Sequence, residues 1–187
     1  MTEGHFSRRG FLAALAAGSA IAWLEAHASE LRAATALAAA GGDDWLVLTP
    51  EQAAVLDAVT AQIIPTDDTP GAREAKVVRF IDRSLTTWLK PDQPDLEKAL
   101  AALSKATKEH SAAAASFAAL ADADQLAVLT AFEKSDPEAF GGLRGLTMLG
   151  MFTNPSYGGN FEKSGWKAIG FVDQFAWSPP FGYYDRV

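Results

Sequence analysis

Three histidines, His5, His27 and His110, are the whole supply of imidazole in this chain, and it has no cysteine. A nucleophile needs a nearby base, and the base needs an orienting partner. His5 and His27 fall in the N-terminal segment. That leaves His110, on an Ala/Ser-rich polar stretch with no arranged nucleophile beside it, and it reads as a surface histidine. Lack of cysteine removes disulfides, thiolate metal sites, iron–sulfur clusters and thioether-linked haem. Asp67 and Asp68 in "PTDDTPGA" invite a calcium reading. Calcium needs six or more oxygens, commonly with a distant bidentate Glu, and that set is missing, so these residues read as turn and capping groups. No G-x-G-x-x-G follows a strand and no P-loop occurs, so nothing points to a nucleotide in this chain. Acidic residues are plentiful, but no spacing marks a paired-carboxylate hydrolase. No catalytic, cofactor-binding or metal-binding residue is therefore expected here.

What remains is chemistry of contact. From Phe152 onward the sequence is rich in aromatics set among turn residues, including Tyr157, Phe161, Trp166, Phe171, Phe175, Trp177 and Phe181. Tyr and Trp are favoured anchors of interfaces, and a domain of this size cannot easily bury so many. The expectation is that this region both covers the core and faces a partner. Tyr157-Gly158-Gly159-Asn160 reads as a turn whose two glycines are free to take positive φ and allow close backbone approach. The candidate partner-binding residues are Asn154, Tyr157, Gly158, Gly159, Asn160, Trp166, Phe171, Trp177 and Phe181. A formal net charge of −7 argues against nucleic acid as that partner, because phosphate binding requires clustered Lys and Arg.

Helices must position these residues. "LTPEQAAVLDAVTAQIIP" has Thr49 as N-cap, Pro50 at the first helical position and Gln52 at capping-box spacing. Val55, Leu56, Val59 and Ile63 share its inner face, with Thr60 and Ile64 beside them, and Pro65 ends it. In the stretch from Ala72 to Lys90, Val77, Ile81, Leu85 and Trp88 are expected inside, while Lys76, Arg79 and Arg83 form a solvated basic arc or face an acidic partner. A third helix is expected from about Asp95 to Leu120, with an interruption near His110-Ser111. A fourth is capped by Asp122, with Gln125 at capping-box spacing and Leu126, Leu129 and Phe132 inward. A fifth covers roughly Pro137 to Thr153, its inner row being Phe140, Leu143, Leu146, Leu149 and Phe152; Gly141, Gly142, Gly145 and Gly150 weaken it unless it packs closely. No long alternating strand pattern occurs before residue 150. The fold expected is all-α, a bundle-like or orthogonal packing of about five helices with an aromatic, loop-rich C-terminal tail.

Residues 1–28 do not read as fold. Arg8 and Arg9 precede an apolar run from Phe11 to Leu24, which is shorter than the roughly 20 residues of a spanning helix. Ser7-Arg8-Arg9-Gly10-Phe11-Leu12 matches the twin-arginine export pattern, lacking only a Lys after the Leu, so Arg8, Arg9, Phe11 and Leu12 are the export-signal residues. Ala26-His27-Ala28 offers a cleavage site before Ser29, and Ala36–Ala38 a second. Residues 29–44 read as an Ala/Gly-rich linker and 45–187 as the folded domain. An uncleaved signal would instead anchor the chain, an outcome compatible both with a stand-alone periplasmic binding or structural protein and with membership of an enzyme complex.

Three stretches resemble the gluconate 2-dehydrogenase subunit 3 family: Leu48 to Asp82, "FGGLRGLTMLGMFTNPSYGGN" from Phe140 to Asn160, and "GWKAIGF" from Gly165 to Phe171. The run from Asn154 to Asn160, followed by Gly165-Trp166-Lys167, is the most specific part. Leu89 to Ala139 is generic. The resemblance implies a non-catalytic small subunit of a periplasmic dehydrogenase complex for sugars or sugar acids, membrane-associated if at all through the complex. It implies an FAD-binding large subunit of the glucose-methanol-choline type as partner, with a cytochrome c subunit in many such complexes. The small subunit would help the large one to fold and to leave the cytoplasm through the twin-arginine translocase. The cofactor, FAD, would then belong to the partner.

Overall fold

The computed structural model describes residues 45–173. The export-signal residues Arg8, Arg9, Phe11 and Leu12, the linker, and Trp177 and Phe181 lie outside the described residues. Among those described the fold is all-α, with six helices and no strand. They are α1 (Pro50–Ile63), α2 (Val77–Ser84), α3 (Gln93–His110), α4 (Asp122–Ser135), α5 (Pro137–Phe152) and the short α6 (Ser164–Ala168). Single 3₁₀ turns lie at Lys90–Asp92, Phe117–Ala119, Pro155–Tyr157 and Phe161–Lys163.

Helix α5 is the central element and packs against all five others. Around it the core gathers Leu56 and Val59 of α1, Val77, Phe80 and Ile81 of α2, Leu103 of α3, Leu129 and Phe132 of α4, and Phe117 from a 3₁₀ turn. The start of α1 has the expected capping box. Thr49 Oγ1 accepts from the Gln52 backbone N–H at 3.2 Å, and Gln52 Oε1 accepts from the Thr49 N–H at 2.9 Å. Two orphan donors at the helix start are thereby satisfied.

Several sequence expectations shift. Helix α3 stops at His110 instead of running toward Leu120, because Ser111 turns to extended backbone. A continuous helix would carry Phe117 about 15 Å beyond Thr107; the break folds it back onto α1, where it is buried. Asp122 does not cap α4. Ala121 holds the N-cap position without a side-chain bond, and Asp122 lies in the first turn. Gln125 turns inward, donating to the Leu120 carbonyl at 3.0 Å and accepting from Gln62 at 3.1 Å. The inner face of α4 is Gln125, Val128, Leu129 and Phe132, while Leu126 is exposed. In α5 a strict spacing of three drifts around a helix of 3.6 residues per turn. The buried row is accordingly Leu143, Thr147, Gly150 and Met151, with Leu149 turned outward. Trp88 is also exposed, because α2 ends at Ser84 and the following turns break its periodicity.

Two of the three cations expected to form a solvated arc, Lys76 and Arg79, are engaged within the fold. The Lys76 ammonium sits 3.4 Å from the centroid of the Phe161 ring, and the Arg79 guanidinium 4.3 Å from that of Trp45. Asp82, which carried no sequence signal, is buried and accepts from the backbone N–H groups of Leu46, Val47 and Leu48 at 2.9 to 3.0 Å. A carboxylate that satisfies three amides fixes the segment leading into α1.

A candidate docking surface in the carboxy-terminal loops

Beyond α5 the chain turns sharply, and each turn is specified by a side chain. Asn154 Oδ1 accepts from the Ser156 N–H at 3.0 Å and starts the Pro155–Tyr157 turn. Gly158 closes it with φ of 97°. The sequence assigns the second left-handed position to Gly159, but Asn160 takes it, with φ of 46°. Asn is among the few L-residues that tolerate this region well. Gly159 is required for a different reason: a Cβ there would lie 2.3 Å from the Gly150 carbonyl oxygen. Gly165 is equally confined, its Cβ position falling 2.0 Å from the Met151 carbonyl oxygen. These two glycines let the loops lie directly on the end of α5.

Asn160 locks them there. It is fully buried. Its N–H donates to Gly150 O at 2.8 Å, its Nδ2 to Thr153 O at 2.8 Å, and its Oδ1 accepts from Gly165 N at 2.9 Å. Phe161 N donates to Ala75 O, tying the same loop to the approach of α2. Trp166 is half-buried, with Nε1 donating to Phe152 O at 2.8 Å and its ring 5.0 Å from that of Phe171. Lys163 and Asp173 form an ion pair at 2.8 Å across the last turns.

The structure therefore sorts the predicted partner-binding residues. Asn154, Gly158, Gly159 and Asn160 shape the loops, and the last two are buried. Trp166 is shared between core and surface. Tyr157 and Phe171 are 54% and 47% exposed, and Phe161, Ile169 and Val172 in the same loops also present large apolar side chains to solvent. Phe161, Ile169 and Val172, also exposed, were not among the residues expected to meet a partner. Their signal was available as apolar residues in a segment with no helical period.

The other sequence candidates behave as ordinary surface groups. His110 Nε2 meets Asp124 Oδ1 at 3.1 Å in a half-exposed pair linking α3 to α4. Asp67 Oδ1 accepts from both the N–H and hydroxyl of Thr69, a turn bond that holds its carboxyl below its usual value. Glu74 accepts from the Thr66 hydroxyl and the Gly71 N–H, and the Thr66 bond leads in lowering its pKa. Among the described residues no group of three or more His, Asp or Glu side chains could hold a metal ion. None of the described helices is long and apolar enough to cross a membrane.

The family model for gluconate 2-dehydrogenase subunit 3 matches residues 50–173. The chain belongs to that family. The match begins at the first residue of α1 and ends at Asp173, so a subunit 3 domain comprises the six helices together with the loops that carry the exposed aromatics. No curated protein and no solved structure is significantly similar to the chain.

Proposed function

We propose that this chain is the non-catalytic small subunit of a periplasmic, FAD-dependent dehydrogenase of the glucose-methanol-choline type acting on sugars or sugar acids. It binds the large subunit, assists its folding, and carries it through the twin-arginine translocase on its own signal at Arg8 and Arg9. The observation that carries this reading is the subunit 3 match across a domain whose matched C-terminal loops hold Tyr157, Phe161, Ile169, Phe171 and Val172 against water. Apolar side chains concentrated in one exposed segment are characteristic of docking sites.

The loop geometry suits docking in a further way. Binding costs the entropy of ordering interface loops. Here the backbone is fixed in advance by Asn160, by Gly159 and Gly165 against α5, and by the Trp166 bond to Phe152. The aromatics then meet the partner from a set frame. FAD, bound by the large subunit, supplies the oxidation of the sugar; this chain contributes shape and an address. In many complexes of this kind a cytochrome c subunit receives the electrons.

Export provides the test. The large subunit is expressed with the wild-type chain, with an Arg8→Lys/Arg9→Lys variant, or alone, and flavin-dependent sugar dehydrogenase activity is measured in the periplasm. Activity is expected only with the wild-type chain. Equal periplasmic activity in all three would overturn the carrier role.

A further inference from the structure

On a different face, α3 and α5 enclose an open trough of about 600 Å³. Leu96 and Ala99 of α3 and Leu143, Leu146 and Leu149 of α5 line it. Its rim is acidic, with Asp92 and Asp95 on one side and Asp136 and Glu138 on the other. Among the described residues the one cation lining it, Lys98, is held by Asp95 at 2.8 Å. Asp92 makes no ion pair among the described residues. Gly142 and Gly145 also line the trough, and a Cβ at either would meet nothing within 4 Å. These glycines weaken α5 and serve no close packing among the described residues, in contrast to Gly150, whose Cβ position lies 2.8 Å from Val77 Cγ1.

We propose that this trough receives one amphipathic helix of a partner polypeptide, apolar on the face that enters and carrying Lys or Arg at its margins. This rests on the accessory-subunit reading above and adds a second contact to it. The apolar floor supplies contacts for residues at helical spacing, the usual basis of helix-in-groove recognition. The bare glycines allow the incoming backbone close approach. The carboxylate rim selects the charge of the partner. A second copy of this chain is disfavoured, since it would bring another acidic surface to an acidic rim, and the chain carries a net charge of −7. Residues 174–187 offer one Arg186 offset by Asp185, so charge does not favour them as occupant.

The test places the photoreactive residue p-benzoylphenylalanine at position 145, or at position 161 in the C-terminal loops, of the tagged full chain in its native cell. Cross-linked peptides are then identified by mass spectrometry. The expected product from position 145 is a partner peptide with apolar residues at three- and four-residue spacing and flanking Lys or Arg. A silent position 145 alongside a reactive position 161 would overturn the trough and leave the accessory-subunit reading standing. Cross-links from 145 to residues 174–187, to a second copy, or to a partner segment without basic residues would overturn it equally. Silence at both positions, with the chain recovered alone, would overturn both readings. Gly145→Leu gives an independent check. It should melt no lower than wild type, because the site is open, yet lose about tenfold in partner affinity. Unchanged affinity would count against the trough.

Discussion

Asn160 and Trp166 separate two jobs that look alike in sequence. Asn160→Ala removes the acceptor for Gly165 N–H and the donor to Thr153 O, and places Ala in left-handed backbone. Unmaking buried bonds of this kind costs about 1–3 kcal/mol each, so the variant should melt well below wild type, as calorimetry of the isolated chain would record. Trp166→Phe keeps an aromatic ring but loses the bond to Phe152 O and part of the indole's packing, and should cost about 1–2 kcal/mol. Phe171→Ser alters a side chain that is 47% exposed. It should lower stability by about 1 kcal/mol through loss of the ring contact with Trp166, and weaken the complex by about 2 kcal/mol if Phe171 is a hot spot; titration calorimetry against the large subunit would measure the second effect. Asp82 was not legible in the sequence. A lone carboxylate in an amphipathic helix has the same signature whether it faces water or three backbone amides. Asp82→Ala is expected to cost about 3 kcal/mol, since Leu46, Val47 and Leu48 lose their common acceptor.

Helix α5 is built from glycines of opposite kinds. Gly150 meets Val77 and Phe80 where a Cβ would stand, so Gly150→Ala should destabilise by about 1–3 kcal/mol through overpacking. Gly145→Ala meets open space and should stabilise by up to about 1 kcal/mol. A denaturant series on the two variants would give opposite signs. The sequence showed that α5 is a helix, because apolar residues recur and Pro137 opens it. It did not show which face is buried, since Phe140, Leu146 and Leu149 are as apolar as Leu143 and Met151. Neighbouring helices made that choice. The same holds for α4, where Leu126 and Val128 were equally eligible. The loop between α1 and α2 was read correctly as turn chemistry because Asp67, Thr69 and Gly71 act within a few residues of one another. Its pH response follows from the lowered pKa values of Asp67 and Glu74, set chiefly by Thr69 and Thr66. Their ordinary values are 3.8 and 4.5. A depressed folded value means the stabilisation is complete above the unfolded value and is lost as pH falls through the folded one. The Thr69 amide resonance should therefore stay fixed above pH 4.5 and shift with a midpoint below 3.8.

At the scale of the molecule, the subunit 3 family and the all-α class were legible because the Thr49 capping box, the proline stops and the Asn154–Asn160 loop are local signals. The surfaces were less so, because exposure depends on what packs across from a residue. Trp88 and Leu149 are exposed despite their apolar character, whereas Gln125 and Asn160 are buried despite their polarity. Among the described residues, apolar groups are gathered outside in the C-terminal loops and in the trough between α3 and α5. The accessory role proposed above would be exercised through such surfaces. The central claim is that this chain binds a flavoprotein, and co-purification tests it most directly. The tagged chain would be expressed with the large subunit, recovered through its tag, and its absorption spectrum recorded. A stoichiometric, much larger partner with flavin bands is expected. A lone, colourless chain, with the large subunit exported and active without it, would contradict the account.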